Sequence, residues 1–330
     1  MARGYDARGN IYRVVAPEEI RRDGIELPDQ ACQAAQTREA WALAAIEAYC
    51  GWAPGTQPSG SKDHCSDGLL VGPFQSSPPF DLLIVNTDGT LAERSGNGLT
   101  IFSQALSDQG LWPGGEACLL RVHHDKADVD SPGETSVKPA QVEGVRGFWL
   151  DLGNPSFGPG AVSAHGVGSV AFNGRELSQV QPLASLNTAW GRSQFVRVGN
   201  PHCVTLVERA DELPGNEQMR EPGLSEALTR IAYAVPTGAG EPCPAGVNLQ
   251  WAMLESEGRI VARVFERGEG PTASSGTSAS AVACAAWRVG WVVAAAMKLI
   301  QPGGTAPLFL QANQAELRPV SLFGTARLMG

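Results

Sequence analysis

Two stretches decide the fold of this chain: Ser95-Gly96-Asn97-Gly98 and Ser275-Gly276-Thr277-Ser278, each followed by an apolar run. In both, a serine precedes a glycine-containing turn that predicts the start of a helix. The first turn of a helix exposes unpaired N–H groups and the positive end of the helix dipole, so each turn is a candidate carboxylate site. Two such sites suggest two halves that bind one small anion. Two unrelated helix caps are the alternative, because serine and glycine are common at helix starts.

Further motifs flank these turns in a fixed order. They are Gly9-Asn10, Asp67-Gly68-Leu69-Leu70, Asn86-Thr87-Asp88-Gly89, Gly199-Asn200-Pro201-His202-Cys203-Val204, Gly246-Val247-Asn248, Glu266-Arg267-Gly268-Glu269-Gly270 and Phe323-Gly324-Thr325. Taken together they resemble the diaminopimelate epimerases, a family of cofactor-independent amino-acid epimerases, over nearly the whole chain. The resemblance implies an α/β (α+β) fold of two pseudo-symmetric domains, each a curled β-sheet wrapped around a central helix.

The chain is predicted to form two domains, because 330 residues exceed one average domain. We place them at residues 1–152 and 153–324, with a tail at about 325–330 that returns to the first domain. Alternating residues predict strands at 81–85 and 258–265, each ahead of one turn serine. A helix is predicted from about Thr277 to Ala296. Because this segment is apolar on all sides, we expect it to lie buried at the centre of its domain.

The resemblance also implies two cysteines that face each other across the α-carbon of the substrate, one acting as thiolate base and the other as thiol acid. Both positions are serine here, Ser95 and Ser275. A cysteine ionises near pH 8.5 and a serine hydroxyl far higher, and each pKa unit costs about 1.4 kcal/mol. We therefore expect ordinary two-thiol epimerisation to be impaired. None of the seven cysteines lies in either turn.

His202 and Glu266 are the candidate proton carriers. Their positions lie beside the two thiols in the resembled family, so the resemblance implies one Ser-His and one Ser-Glu pair here. We hypothesise that His202 and Glu266 take over proton transfer while Ser95 and Ser275 position the substrate or relay the proton, since histidine titrates near neutrality and can act as a general base. A histidine that only hydrogen-bonds within its loop is the alternative.

Three kinds of group are candidates for substrate binding. Backbone N–H groups of the two turns are expected to bind the carboxylate on the reacting carbon. Arg267 is assigned to a second carboxylate, because a guanidinium binds carboxylates bidentately. The resemblance adds four asparagines as substrate contacts, which makes diaminopimelate the obvious substrate, while Ser278 stands where the family usually has a second glycine. The full binding set is Asn10, Asn86, Gly96, Asn97, Asn200, Asn248, Arg267, Gly276 and Thr277.

The composition argues against several function classes. A formal net charge of -9 and an isoelectric point near 5.1 leave no basic face for nucleic acid or an anionic membrane. The odd number of cysteines, the lack of CxxC spacing and the lack of a leader or an 18-residue apolar run predict a cytoplasmic protein without a metal site. We expect no cofactor, a small amino-acid substrate with two carboxylates, and a homodimer as the default assembly.

Three functions stay open on the sequence. The first is a cofactor-independent isomerase that acts at the α-carbon of an amino acid. The second is a lyase or tautomerase that uses His202 or Glu266 as a single base on an amino-acid-derived substrate. The third is a catalytically silent amino-acid-binding homologue, and an ordinary epimerase with engineered cysteine-to-serine replacements would have the same sequence.

Overall fold

The structure is a computed structural model that describes residues 2–112, 114–127, 130–313 and 316–329. The chain divides into two compact units. Unit 1 comprises Met1–Asp151 and Phe323–Gly330, and unit 2 comprises Leu152–Leu322. Each unit mixes helices with a larger share of strands, so the predicted α/β class is confirmed.

Unit 1 alternates strands with helices. Its elements in chain order are β1 (Arg3–Ala7), β2 (Asn10–Val15), α1 (Pro17–Arg22), α2 (Ala31–Gln36), α3 (Ala42–Cys50), β3 (Gly68–Val71), β4 (Phe80–Asn86), α4 (Gly96–Asp108), β5 (Cys118–Val122), β6 (Gly133–Val142) and β7 (Val145–Asp151). A 3-10 turn at Arg38–Ala40 precedes α3.

The strands of unit 1 surround helix α4. They pair in chain order, antiparallel at β1–β2, parallel at β2–β3, antiparallel at β3–β4, parallel at β4–β5, and antiparallel at β5–β6 and β6–β7. Helix α4 contacts β1, β2 and β7, and Leu99, Ile101 and Phe102 on it are fully buried. Helix α2 contacts β4, and helix α3 contacts β3 and β4, through a separate apolar cluster that includes Trp41 and Ile46.

Unit 2 has more elements. They are β8 (Ser156–Phe157), β9 (Gly168–Phe172), β10 (Arg175–Gln179), α5 (Gln181–Leu186), β11 (Ser193–Val198), β12 (Asn200–Leu206), α6 (Asn216–Arg220), α7 (Pro222–Ala232), β13 (Asn248–Ser256), β14 (Arg259–Glu266), β15 (Gly270–Thr272), α8 (Gly276–Arg288), β16 (Ala296–Gln301), β17 (Gly304–Phe309), β18 (Ala312–Asn313), β19 (Glu316–Leu317) and β20 (Ser321–Gly324). The last two residues of β20 belong to unit 1.

Unit 2 repeats the strand order of unit 1. Its pairs are antiparallel at β11–β12, parallel at β12–β13, antiparallel at β13–β14, parallel at β14–β16, and antiparallel at β16–β17 and β17–β20. Helix α8 contacts β11, β12, β13, β14 and β17, and nearly all of its residues are buried. Each unit is therefore a sheet built around one 13-residue helix, which places both predicted turns at the start of a central helix.

Both central helices end in the same way. Gly110 follows α4 with φ 68° and Gly290 follows α8 with φ 76°. The N–H of Leu111 donates to Leu106 and that of Trp291 to Ala286, which is the hydrogen-bond pattern of a Schellman motif. The predicted extension of the second helix to Ala296 was wrong. Helix α8 ends at Arg288, eight residues earlier, ahead of the left-handed residue Gly290, and Ala296 begins β16.

The C-terminal residues pair with the first strand of unit 1. The last strand, β21 (Arg327–Leu328), is antiparallel to β1, with Tyr5 opposite Leu328. The guanidinium of Arg327 donates to the carboxylate of Asp6 at 2.7 Å, and the ring of Phe323 lies 5.4 Å from that of Trp149. Across the described ranges, no helix is both long and apolar enough to cross a bilayer.

Candidate active site

Glu266 and Ser275 lie close together in unit 2. Glu266 is the last residue of β14, and the short strand β15 folds back so that Gly270 lies opposite it. The chain then reaches the start of α8, where the buried Ser275 is the N-cap residue with extended backbone angles. The Ser275 hydroxyl is near enough to the Glu266 carboxyl to lower its pKa. This turn therefore brings together two residues that lie nine positions apart.

The Glu266 carboxyl has a strongly raised pKa. Burial of the charged form raises the pKa from its ordinary value of 4.5 to about 7, and the nearby Glu269 adds to this, while the Ser275 hydroxyl opposes it. A carboxyl that titrates near neutrality can both accept and return a proton at physiological pH.

Gln301 fixes the backbone of Ser275. The N–H of Ser275 donates to Gln301 Oε1 at 3.1 Å, and Gln301 Nε2 donates to the Ser275 carbonyl at 3.3 Å. Gln301 is buried at the end of β16. The Ser275 hydroxyl makes no cap bond to its own helix, so the first N–H groups of α8, including those of Gly276 and Thr277, are not capped by it.

Ser95 is arranged differently in unit 1. It is the N-cap residue of α4, and its hydroxyl accepts a hydrogen bond from the N–H of Gly98 at 3.0 Å. A Cβ at position 98 would lie 3.2 Å from the Ser95 hydroxyl, so glycine gives this N–H close access to it. Gly96 and Asn97 are the first two residues of the helix and have no intrahelical acceptor for their N–H groups. Whether Ser95 and Ser275 contact one substrate stays a prediction.

His202 is buried and neutral. It lies in β12, opposite Asn248 of the parallel strand β13, and its side chain is fully buried. Burial, followed by the charges of Arg267 and Arg197, lowers its pKa from 6.5 to about 3. Gln250 Nε2 lies 3.0 Å from His202 Nδ1. A histidine with so low a pKa is a poor proton acceptor, so its role differs from that of Glu266.

Arg267 and Asn248 are held together beside Glu266. The side-chain oxygen of Asn248 accepts the backbone N–H of Arg267 at 2.9 Å, and the Arg267 guanidinium donates to the carbonyl of Ala245 at 2.6 Å. Gly246 has φ 75°, and a Cβ there would lie 2.7 Å from Arg267 Cδ. A glycine at 246 therefore lets the arginine stem pass close to the backbone.

The other predicted asparagines lie at strand ends. Asn10 begins β2, and its amide donates to Asp67 at 3.0 Å. Asn86 ends β4 and donates to the hydroxyl of Thr90 at 2.9 Å. Asn200 begins β12 after a one-residue turn at Gly199. Asn10 and Asn86 belong to unit 1 and Asn200 to unit 2, and their contact with a substrate stays a prediction.

The cysteines of the chain are free and do not adjoin Ser95 or Ser275 in the sequence. Burial raises the pKa of the Cys50 and Cys118 thiols to about 11 and that of Cys243 to about 12, and it also raises those of Cys203 and Cys284. Such thiols stay protonated at neutral pH. Over the residues that the structure describes, no group of three or more His, Cys, Asp and Glu residues could hold a metal ion.

Sequence reasoning missed two residues of this region, Gln301 and Gln250. Gln250 was detectable in principle, because it is a single glutamine among the apolar residues that follow Asn248 in β13. Gln301 had no such signal, because it ends a strand next to a turn, where a glutamine is ordinary.

Comparisons with known proteins identify the family. Diaminopimelate epimerase 2 of a Nostoc species is 30% identical over 230 residues, which cover 68% of this chain and 67% of that protein. The diaminopimelate epimerase of a Synechococcus species is 29% identical over 223 residues, 67% of this chain and 68% of that protein. A scan against protein-family models gave no match.

Solved structures confirm the fold. A probable proline racemase from Agrobacterium radiobacter aligns with a TM-score of 0.60 at 14% identity, over 100% of this chain and 91% of that one. A phenazine biosynthesis protein of the PhzF family from Bacillus anthracis aligns with a TM-score of 0.58 at 14% identity, over 100% and 96%. The sequence relatives show that the chain belongs to the diaminopimelate epimerase family, whose named members are epimerase-type isomerases.

Proposed function

We propose that this protein is a cofactor-independent isomerase that moves the α-proton of an amino acid, with Glu266 as the proton carrier in place of a thiol. The observation that carries the proposal is the Glu266–Ser275 pair at the start of α8, in which a carboxyl with a pKa of about 7 lies beside a serine hydroxyl. Family membership supports the reaction type, and the replacement of both thiol positions by serine requires another base.

Glu266 suits the proton transfer better than either serine. Its carboxylate form is populated at pH 7, whereas a serine alkoxide is not, because an aliphatic hydroxyl ionises far above neutrality. The Ser275 hydroxyl beside this carboxylate is proposed to donate to it, to orient the carboxyl and to pass a proton along without becoming an alkoxide itself. The α-proton moves to Glu266, which later releases it to water. Ser95 is the proposed donor on the other face of the α-carbon: its hydroxyl gives a proton to the carbanion and takes one from water in the same step, so that no alkoxide is left.

The first turn of α8 is the proposed site for the α-carboxylate. Negative charge builds on this group as the α-proton leaves, and the N–H groups of Gly276 and Thr277 at a helix N-terminus stabilise such charge. Gly96 and Asn97 are the corresponding groups of α4.

Arg267 and the asparagines are proposed to bind the far end of the substrate. The arginine is fixed by Asn248 and Ala245, and a guanidinium selects a carboxylate over a neutral group. Asn10, Asn86 and Asn200 complete the proposed set. A substrate with a second carboxylate, of which diaminopimelate is the leading candidate, matches these groups.

A single-base reaction is the second candidate. Glu266 is the one residue of the proposed catalytic set whose pKa lies near neutrality, and one base suffices to shift a double bond or to expel a β-substituent after α-proton removal. The similarity in fold to a methylitaconate isomerase, with a TM-score of 0.55 at 14% identity, shows the fold alone. The two candidates differ in product, since only epimerisation returns the same compound with inverted configuration.

Deuterium exchange tests the proposal. The purified protein is incubated in heavy water with LL- and meso-diaminopimelate, and NMR follows α-deuteration, stereochemistry and any new product. We expect α-deuteration with inversion, and a rate that rises with pH through about 7, because the base form of Glu266 predominates above its pKa.

Three variants make the test specific. Glu266→Gln keeps the size and a hydrogen-bond acceptor for Ser275 but cannot take a proton, so exchange is expected to fall by at least about 100-fold. Ser275→Ala is expected to slow exchange less. Glu257→Gln is the matched control and is expected to keep most of the activity, since Glu257 is exposed in the turn between β13 and β14. Full exchange in Glu266→Gln contradicts the proposal, and elimination products without inversion favour the single-base candidate.

A further inference from the structure

A buried hydrogen-bond chain joins helix α8 to His202. Gln250 Nε2 lies 3.0 Å from His202 Nδ1 and 3.1 Å from the hydroxyl of Ser278. All three side chains are buried, at 0% exposure each. Ser278 is the third residue after the N-cap Ser275, and the corresponding position in α4 is Gly98, which has no side chain to make such a contact.

Strand register explains why these residues meet. His202 in β12 lies opposite Asn248 in the parallel strand β13, and Gln250 is two residues beyond Asn248. Side chains two residues apart point to the same face of a sheet, and α8 packs against both strands. The amide of Gln250 therefore lies between the imidazole and the first turn of α8.

The chain of hydrogen bonds determines which ring nitrogen carries the proton. A side-chain amide nitrogen has two N–H groups and no acceptor. In the orientation that the amide adopts here, one N–H of Gln250 faces His202 Nδ1 and the other faces Ser278 Oγ. When Nδ1 accepts from this N–H, the neutral ring has its proton on Nε2. Protonation of the ring at Nδ1 would put two N–H groups against each other, and the guanidinium groups of Arg197 and Arg267 also oppose a positive ring.

His202 Nε2 is left as a donor in need of an acceptor. Within the described residues, Nε2 of His202 is buried and has no hydrogen-bond partner. A buried N–H without an acceptor is unfavourable, and native sites that keep one use it for a ligand or a water molecule. The carboxylate or the developing carbanion of a bound amino acid is an acceptor of the required kind.

We infer that Gln250, anchored by Ser278, is a positioning residue that holds His202 in the Nε2–H form, so that His202 donates a hydrogen bond to the substrate and does not take its α-proton. This inference deepens the proposed function and rests on it for the substrate. The tautomer itself is a property of the free protein, so its test does not depend on activity.

The tautomer is measured by NMR of the histidine ring nitrogens in the 15N-labelled full-length protein. The chain has five histidines, and the His202 signals are assigned as those lost in His202→Gln. We expect an acceptor-type Nδ1 and a protonated Nε2 in the wild type, unchanged between pH 5 and 8. A protonated Nδ1 in the wild type overturns the inference.

Two variants test the role of the hydrogen-bond chain. In Gln250→Leu, Nδ1 loses its donor, so the ring is expected to exchange between tautomers and its two nitrogen shifts to move toward each other. Ser278→Ala is expected to cause a smaller change in the same direction. Gln194→Leu is the matched control, because Gln194 is a buried glutamine on the neighbouring strand β11 that donates to the carbonyl of Phe195 instead. If the chemical shifts of the two His202 ring nitrogens are the same in Gln250→Leu as in the wild type, the inference is overturned.

The deuterium-exchange assay separates this inference from the proposed function. If the wild type exchanges the α-proton, Gln250→Leu is expected to slow exchange more than 10-fold at saturating substrate while Gln194→Leu does not. An unchanged rate in Gln250→Leu overturns the inferred positioning role. A wild type without exchange but with the Nε2–H form contradicts the proposed function and leaves the tautomer assignment standing.

Discussion

Replacing Glu266 by glutamine is expected to change how the stability of the protein depends on pH. The carboxyl has a pKa of about 7 in the folded protein and an ordinary value of 4.5. Between these values the unfolded chain has released the proton while the folded chain still holds it. Stability therefore falls as the pH rises through this interval, because the folded state binds more protons than the unfolded state.

The magnitude follows from the difference between the two pKa values. A gap of about 2.5 units between 4.5 and 7 corresponds to about 3 kcal/mol, since each unit is worth about 1.4 kcal/mol. The glutamine variant cannot titrate here, and its amide oxygen can still accept a hydrogen bond from Ser275. The free energy of unfolding of the wild type, minus that of Glu266→Gln, is expected to be largest below pH 4.5 and to drop by about 3 kcal/mol by pH 8.

The assay is denaturant unfolding of both proteins at a series of pH values from 4 to 8. Tryptophan fluorescence reports on both units, because four of the eight tryptophans lie in each. The signal from unit 2 includes Trp190 and Trp251, which pack against each other with ring centroids 5.1 Å apart. The contributions of other titrating groups to the free energy of unfolding cancel in the difference between the two proteins. Parallel pH profiles would show that the pKa of Glu266 is not raised, and the argument for it as the proton carrier would lose its main support.

Three further predictions concern other parts of the chain. The double variant Ser95→Cys with Ser275→Cys is expected to increase the rate of diaminopimelate epimerisation by at least about 10-fold, because a thiolate is populated near neutral pH and an alkoxide is not. If the exchange assay shows no increase, diaminopimelate is not the substrate. Gly147→Ala is expected to lower the melting temperature, since its Cβ would lie 2.3 Å from the backbone carbonyl oxygen of Gly324. Gly160→Ala is the control, because a Cβ at position 160 would have no atom within 4 Å. Equal melting temperatures of the two variants would refute the close approach. Phe102→Ala in the centre of unit 1, where the ring is fully buried, is expected to cost about 3–5 kcal/mol in denaturant unfolding, and a loss below about 1 kcal/mol would place the ring outside the core.

The sequence alone determined the elements around the two turns. A strand, a glycine-containing turn and an apolar run predicted the starts of both central helices, because helix starts depend on local capping and on the dipole of the first turn. The ordered motifs then identified the family, and the relatives confirm it. The end of α8 is also encoded locally, in Gly290, but the predicted helix ran past this glycine because the residues after it are apolar as well.

Only the tertiary structure decided the state of the titratable groups. A pKa depends on burial and on charges that come from distant parts of the chain, so no local pattern shows that Glu266 titrates near 7 while His202 stays neutral. The Gln250 amide reaches His202 only because β12 and β13 are parallel neighbours in register. The sequence named both residues as equal candidates for proton transfer, and their packing is what gives them different chemistry.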